Sequence, residues 1–139
     1  MPYFDDVSVG DDLPDLKKQA TTVQLVQYAG ASNDYNQIHY DAEVAARAGH
    51  KSVIIHGALK NAWLAQLVTD WIGTTGTLAK ISVAYRGIDY PNDPITCKGK
   101  VTGKRTEDGR NLVDCDIWLE NGEGKTTTPG TAIVALPTR

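Results

Sequence analysis

Asp34, Asn36 and His39 stand within six positions of one another in "SNDYNQIHYD", residues 32–41. A carboxylate and an imidazole are side chains that serve as general acids and bases, and an amide can orient what lies between them. The chemistry such a trio could serve is acid–base chemistry. Each residue also has a plain reading: Asp34 as an Asx-turn, Asn36 as a left-handed residue, His39 as a satisfied, partly buried ring. All three together are a costly way to build one turn, so the constellation reads as a site. The three histidines of the chain all lie between residues 39 and 56. His56 reads as a structural ring that bonds nearby backbone where a helix starts. His50, behind Gly49 in a turn, is assigned no role.

The segments that must position this stretch are helical. Thr21 or Thr22 caps "VQLVQYAGA", where Val23, Val26 and Ala29 recur at helical spacing, and Gly30 with "SND" ends it. Asp41 is the expected N-cap of "AEVAARA", which stops at Gly49. After "SVIIHG" comes the strongest helical pattern, Ala58 to Ile72. Ala58, Ala62, Ala65 and Thr69 make a strip of small side chains that would let a sheet come close. Leu64, Leu67, Val68 and Trp71 make a bulky strip beside it. Such a helix is expected in the core, with Trp63 and Trp71 as core or subunit contacts.

"LKKQAT" is a first candidate strand, and from residue 78 the period drops to two. "KISVAYRGIDY" alternates Ile81, Val83 and Tyr85 against Lys80, Ser82 and Arg86. "ITCKGKVTGKR" and "NLVDCDIWLE" alternate in the same way, and "TAIVAL" is a last, buried strand. Turn signals at "EDG" and "NGEG" predict an antiparallel meander. Placing Val101 and Cys115 on one face requires an odd loop, met by Glu107-Asp108-Gly109 with Gly109 left-handed. That register sets Lys100 opposite Asp116 as a charge pair and Cys97 opposite Leu119. Cys97 and Cys115 are then too far apart for a disulfide and read as small core residues. Trp118 falls among charges on the outer strand face, in a surface groove or under a partner.

These elements make an α+β domain spanning residues 1–139, either a curved antiparallel sheet wrapped around one long helix or an open two-layer sandwich. The apolar fraction of 41% and charged fraction of 22% are globular, and a net charge of −3 without a basic run argues against nucleic acid. No stretch approaches the ~18 apolar residues of a membrane span, and "MPYFDDVSVG" lacks a signal pattern, so a cytoplasmic location and no membrane partner are expected. Two isolated cysteines make no zinc spacing.

"YAGASNDYNQIHYDAEVAARAGHKSVIIHG" resembles the signature of the MaoC-like dehydratases, the R-specific enoyl-thioester hydratases of the hot-dog fold. That pattern runs aromatic, S-G-D-x-N-P-x-H, a short helix ending A-x-x-A-G, and H-G before the central helix. Ser32 to His39, Ala45 to Gly49, and His56-Gly57 keep its spacing, and the match is strong over residues 28–57. Asn33 stands for the usual glycine, which its ease in the left-handed region permits. Gln37 stands for the usual proline, so the loop loses a fixed φ.

The resemblance implies a single hot-dog domain that adds water reversibly to a trans-2-enoyl thioester of CoA or an acyl carrier, giving an R-3-hydroxyacyl product. It implies a homodimer, or a heteromer with a second hot-dog chain. Asp34 and His39 are then the acid–base pair that holds the attacking water, without a division of roles between them, and Asn36 orients loop or water. The backbone N–H of Gly57, at the tip of the central helix, is the expected donor to the thioester oxygen. No metal or redox cofactor is called for. Two rivals share the fold: a non-catalytic acyl-binding or scaffold subunit, and a thioesterase. Retention of both Asp34 and His39 opposes the first, and release of free thiol would mark the second.

Overall fold

The bulky apolar strip of one helix organises the computed structural model, which describes residues 1–139. Gly57–Ile72 (α3) buries Leu59, Trp63, Leu64, Leu67, Val68 and Ile72. They meet Ile95, Cys97, Val101, Val113, Cys115, Ile117, Leu119, Ala132 and Val134 in one core cluster. The small strip does the opposite of what its size suggests: Ala58, Ala62 and Thr69 are exposed and Ala65 is half-buried. Hydrophobic gain scales with area, so the helix turns its leucines and Trp63 inward and leaves the alanines outside.

Before α3 come Leu16–Lys18 (β1), Thr22–Ser32 (α1) and Ala42–Arg47 (α2); after it come Thr77–Val83 (β2), Ile95–Glu107 (β3), Arg110–Glu120 (β4) and Thr126–Ala135 (β5). The sheet has the order β1-β3-β4-β5-β2 with every pairing antiparallel. Only β3-β4-β5 is a meander. β2 lies on the far side of β5, so residues 84–94 must cross from that edge to β3. The sheet curls around α3, which packs against β2, β3, β4 and β5. This is the helix-wrapped arrangement and not the open sandwich.

Thr21 accepts from Gln24 N–H as the cap of α1, as expected. Of the expected face of that helix only Ala29 is buried. Leu25 and Ala29 are buried, while Val23 and Val26 are 64% and 57% exposed. The β3–β4 register is as expected, with Val101 opposite Cys115, Lys100 opposite Asp116 and Cys97 opposite Leu119. The route to it differs. The loop has two residues, Asp108 and Gly109, both at positive φ (51° and 74°) as a type I′ turn needs, and Glu107 pairs with Arg110. A bulge at Thr102 restores the parity. Lys100 does not use Asp116: its ammonium reaches Asp12 at 2.7 Å. Trp118 is half-buried between its strand neighbours Lys98 and Pro129, its indole N–H donating to Glu120 at 3.2 Å. Both cysteines are free and buried. No helix is long and apolar enough to cross a membrane.

Candidate active site

The loop after α1 is shaped by its own side chains. Asn33 ends the helix in the left-handed conformation (φ 57°, ψ 28°) that glycine would otherwise supply. Asp34 follows, and its Oδ1 accepts from Asn36 N–H at 3.3 Å. Asn36 in turn caps the single turn Gln37–His39 by accepting from Ile38 N–H at 3.2 Å. Asp41 caps α2 through Glu43 and Val44.

This loop is fastened to the segment that leads into α3. Ile54 N–H donates to Ile38 O at 3.0 Å, and the His39 Nδ1 lies 2.8 Å from Ile54 O. A carbonyl only accepts, so Nδ1 carries the proton and Nε2 holds the lone pair of the neutral ring. Nε2 faces Asp34 Oδ2 at 3.6 Å. On its other side the same segment donates from Ile55 N–H to Asp89 O at 2.9 Å. The run Val53-Ile54-Ile55 is therefore buried between residues 38–39 and the crossing segment.

His56 is fully buried, and the structure gives it different partners from those expected. Neither ring nitrogen has a partner at full hydrogen-bond geometry, although the Asp34 backbone stands close enough to favour the protonated ring. The ring instead stacks on His39, centroids 3.7 Å apart and planes at 20°, with Tyr28 edge-on at 4.9 Å. Its backbone serves the helix, His56 O accepting from Lys60 N–H. Burial pushes the imidazole below its ordinary range, His39 adds to this, and Asp34 opposes it. Asp34, His39 and His56 offer oxygen and nitrogen atoms within 4.8 Å of one another. Stacked rings hold their lone pairs in near-parallel planes, here with centroids 3.7 Å apart, so one ion cannot lie in the plane of both imidazoles. His50 lies outside this cluster; its N–H bonds Ala45 O.

Gly57 begins α3, and its N–H makes no backbone hydrogen bond within the chain. A Cβ at this position would lie 3.0 Å from Cζ of Tyr85 and 3.1 Å from both its Cε atoms. The glycine admits the tyrosine ring. Tyr85 does not continue the alternation of β2, which ends at Val83; it starts the crossing segment and is 53% exposed. Next to it lies a buried ion pair that charge patterning alone gave no means to pair. Lys60 and Asp89 are 2% and 3% exposed with Nζ and Oδ2 3.0 Å apart. Lys60 also donates to Gly87 O, and Thr127 to Asp89. A lysine inside the apolar face of α3 was the available signal, because a charge there requires a partner.

The site thus gathers Asp34, His39 and His56 against the N-terminal turn of α3, with Tyr28 and Tyr85 around it. The Asp34 side chain is 45% exposed and that of His39 8%, so the site opens on the surface of the single chain. A groove of about 370 Å³ flanks the loop, lined by Val26, Tyr40, Val53 and Pro91 among others.

Residues 9–118 match the family model of the MaoC like domain. The chain is 29% identical over 94 residues to the 3-oxo-4,17-pregnadiene-20-carboxyl-CoA hydratase beta subunit of Mycobacterium tuberculosis, covering 68% of this chain and 73% of that one. It is 24% identical over 123 residues to the (R)-specific enoyl-CoA hydratase of Aeromonas caviae, covering 88% and 90%. The R-hydratase PhaJ1 from Pseudomonas aeruginosa superposes with a TM-score of 0.88 over 99% of this chain and 86% of that one, at 22% identity. With the family model spanning most of its length and the hot-dog arrangement shared, the chain belongs to the MaoC-like domain family.

Proposed function

We propose that the protein is a hydro-lyase that adds water to a trans-2-enoyl thioester, of CoA or an acyl carrier, to give the R-3-hydroxyacyl thioester. The observation that carries this reading is the pairing of Asp34 Oδ2 with His39 Nε2 at 3.6 Å, in a tautomer held by Ile54 O. Both atoms accept hydrogen bonds, so a water between them is oriented with its lone pair outward, toward Cβ of the substrate. As the C–O bond forms, the π electrons move to Cα and charge develops on the thioester oxygen, where Gly57 N–H is the donor. One proton passes from the water to the pair and from the pair to Cα, so the pair ends as it began. Asn36 acts by holding the turn that carries His39.

Two of the relatives bear names of CoA-thioester hydratases, one of them a subunit. A partner hot-dog chain, identical or different, fits the surface of the single chain. Val23, Val26, Tyr35, Tyr40, Tyr85 and Ile88 are exposed on and around the site-bearing segments.

The test is turnover of purified chain on short, long and steroid-like enoyl-CoA esters, read by loss of enoyl absorbance without thiol release. Asp34→Asn and His39→Ala are each expected to lower turnover by at least ~100-fold with the fold retained, in line with general acid–base contributions. Near wild-type hydration by both variants would refute these roles, and thiol release would identify a thioesterase.

A further inference from the structure

Tyr85 has a phenol for which the fold has no use. The nearby side-chain hydrogen bonds join Lys60 to Gly87 O and Asp89, and Thr127 to Asp89; none takes the Tyr85 hydroxyl. Its backbone is nevertheless fixed on both sides. Ala84 N–H bonds Pro129 O at 2.9 Å, and Arg86 and Gly87 N–H both bond Thr127 O, at 3.0 and 2.9 Å. The Lys60 ammonium lies 6.0 Å from the ring centroid. A half-exposed ring has thus been laid over one glycine, its Cζ and both Cε atoms nearest and its hydroxyl further out.

That glycine is the one whose N–H is free. By standard geometry a Cβ sits about 2.5 Å from its own nitrogen. With Cζ 3.0 Å from that Cβ position, it is no more than about 5.5 Å from Gly57 N, and the hydroxyl, one bond further, no more than about 6.9 Å. One oxygen atom meets two donors at ordinary hydrogen-bond length, about 2.7–2.9 Å, when they stand within about 5.8 Å of each other, and most of the range open to the hydroxyl lies inside that limit. Gly57 follows His56, whose ring stacks on His39 with centroids 3.7 Å apart, so the glycine stands beside the Asp34–His39 pair. A phenol is protonated at neutral pH and donates to a developing anion.

Resting on the hydratase reading, the geometry points to Tyr85 as a catalytic residue: its hydroxyl is the second donor to the thioester oxygen, beside Gly57 N–H. A single backbone amide then does not carry the charge of the enolate alone.

Tyr85→Phe tests this by removing one oxygen atom from a half-exposed ring that no internal hydrogen bond needs. Hydration of crotonyl-CoA is expected to fall by ~100-fold in kcat with KM within about threefold, the loss seen when one oxyanion donor is deleted. A kcat within twofold of wild type overturns the assignment and leaves the hydratase reading standing, since Phe keeps all packing on Gly57. A second measurement needs no turnover. Butanoyl-CoA labelled with ¹³C at the thioester carbonyl cannot add water, and its carbonyl stretch reports donors to the oxygen. The band is expected at lower frequency on wild type than on Tyr85→Phe. Equal frequencies overturn the second-donor role, and failure of wild type to bind or hydrate any of the short, long or steroid-like esters overturns it together with the hydratase reading.

Discussion

Replacing Asp89 with asparagine asks how the first turn of α3 is held beneath the site. The Lys60–Asp89 pair is almost wholly removed from water, with Nζ and Oδ2 3.0 Å apart. Thr127 donates to the same carboxylate oxygen at 2.6 Å, and Lys60 donates to Gly87 O at 3.1 Å. Asp89→Asn keeps the shape and leaves the ammonium facing a neutral amide, a change that costs about 3–5 kcal/mol in a buried pair. The expected loss is about 3–5 kcal/mol, or a fall in Tm of roughly 10–15 °C for a chain of this size. Urea unfolding followed by circular dichroism measures this. Lys60→Met with Asp89→Leu, which removes both charges, is expected to be at least about as stable as wild type. An Asp89→Asn variant within about 1 kcal/mol of wild type refutes the reasoning.

Three further outcomes follow from buried or strained positions. Burial, then His39, hold His56 below the ordinary imidazole range, so the unfolded chain takes the proton first and wild-type stability drops as the pH falls below about 6.5. His56→Phe keeps the stack and should lose that slope, read from urea midpoints at about pH 7.5 and 5. Burial pushes the Cys97 and Cys115 thiols up to about 12, so an aromatic disulfide reagent at about pH 8 should titrate neither in the folded protein and both in denaturant. At the left-handed Asn33, glycine should be tolerated, whereas valine should cost about 1–2 kcal/mol in thermal or urea unfolding.

What the sequence made legible was short-range. The caps at Thr21 and Asp41 and the left-handed Asn33 each depend on groups within three residues, and each forms as the residue types require. Strand alternation survived where one face is core, from Ile95 to Val101 in β3 and from Val113 to Leu119 in β4. The hairpin register came out as expected although its loop did not, because a bulge and a shorter turn compensate in parity and the apolar face decides between them. Faces of helices were less legible. α1 carries apolar side chains on more than one side, so the choice of Leu25 and Ala29 over Val23 and Val26 was made by what packs against it. Least legible were partnerships across long separations: Lys60 with Asp89 and Thr127, and Gly57 with Tyr85, both created by the crossing of residues 84–94.

The pairing of Asp34 with His39 was legible for a further reason, which also dissolves the conflict between its plain and its proposed chemical readings. A carboxylate has two oxygens and an imidazole two nitrogens, and this loop divides them. Asp34 gives Oδ1 to Asn36 N–H as an Asx-turn residue would, and keeps Oδ2 toward His39. His39 commits Nδ1 to Ile54 O as a satisfied buried ring would, and keeps Nε2 toward Asp34. The structural bond in each case aims the atom left over, because fixing one end of a planar group fixes the other. Asn36, whose amide oxygen is spent on Ile38 N–H, is the member that chiefly builds. Substituting Asp34 or His39 therefore removes a fold contact along with an atom that the proposed reaction uses, and Asp34→Asn, which keeps an oxygen for the turn, separates the two more cleanly than alanine does.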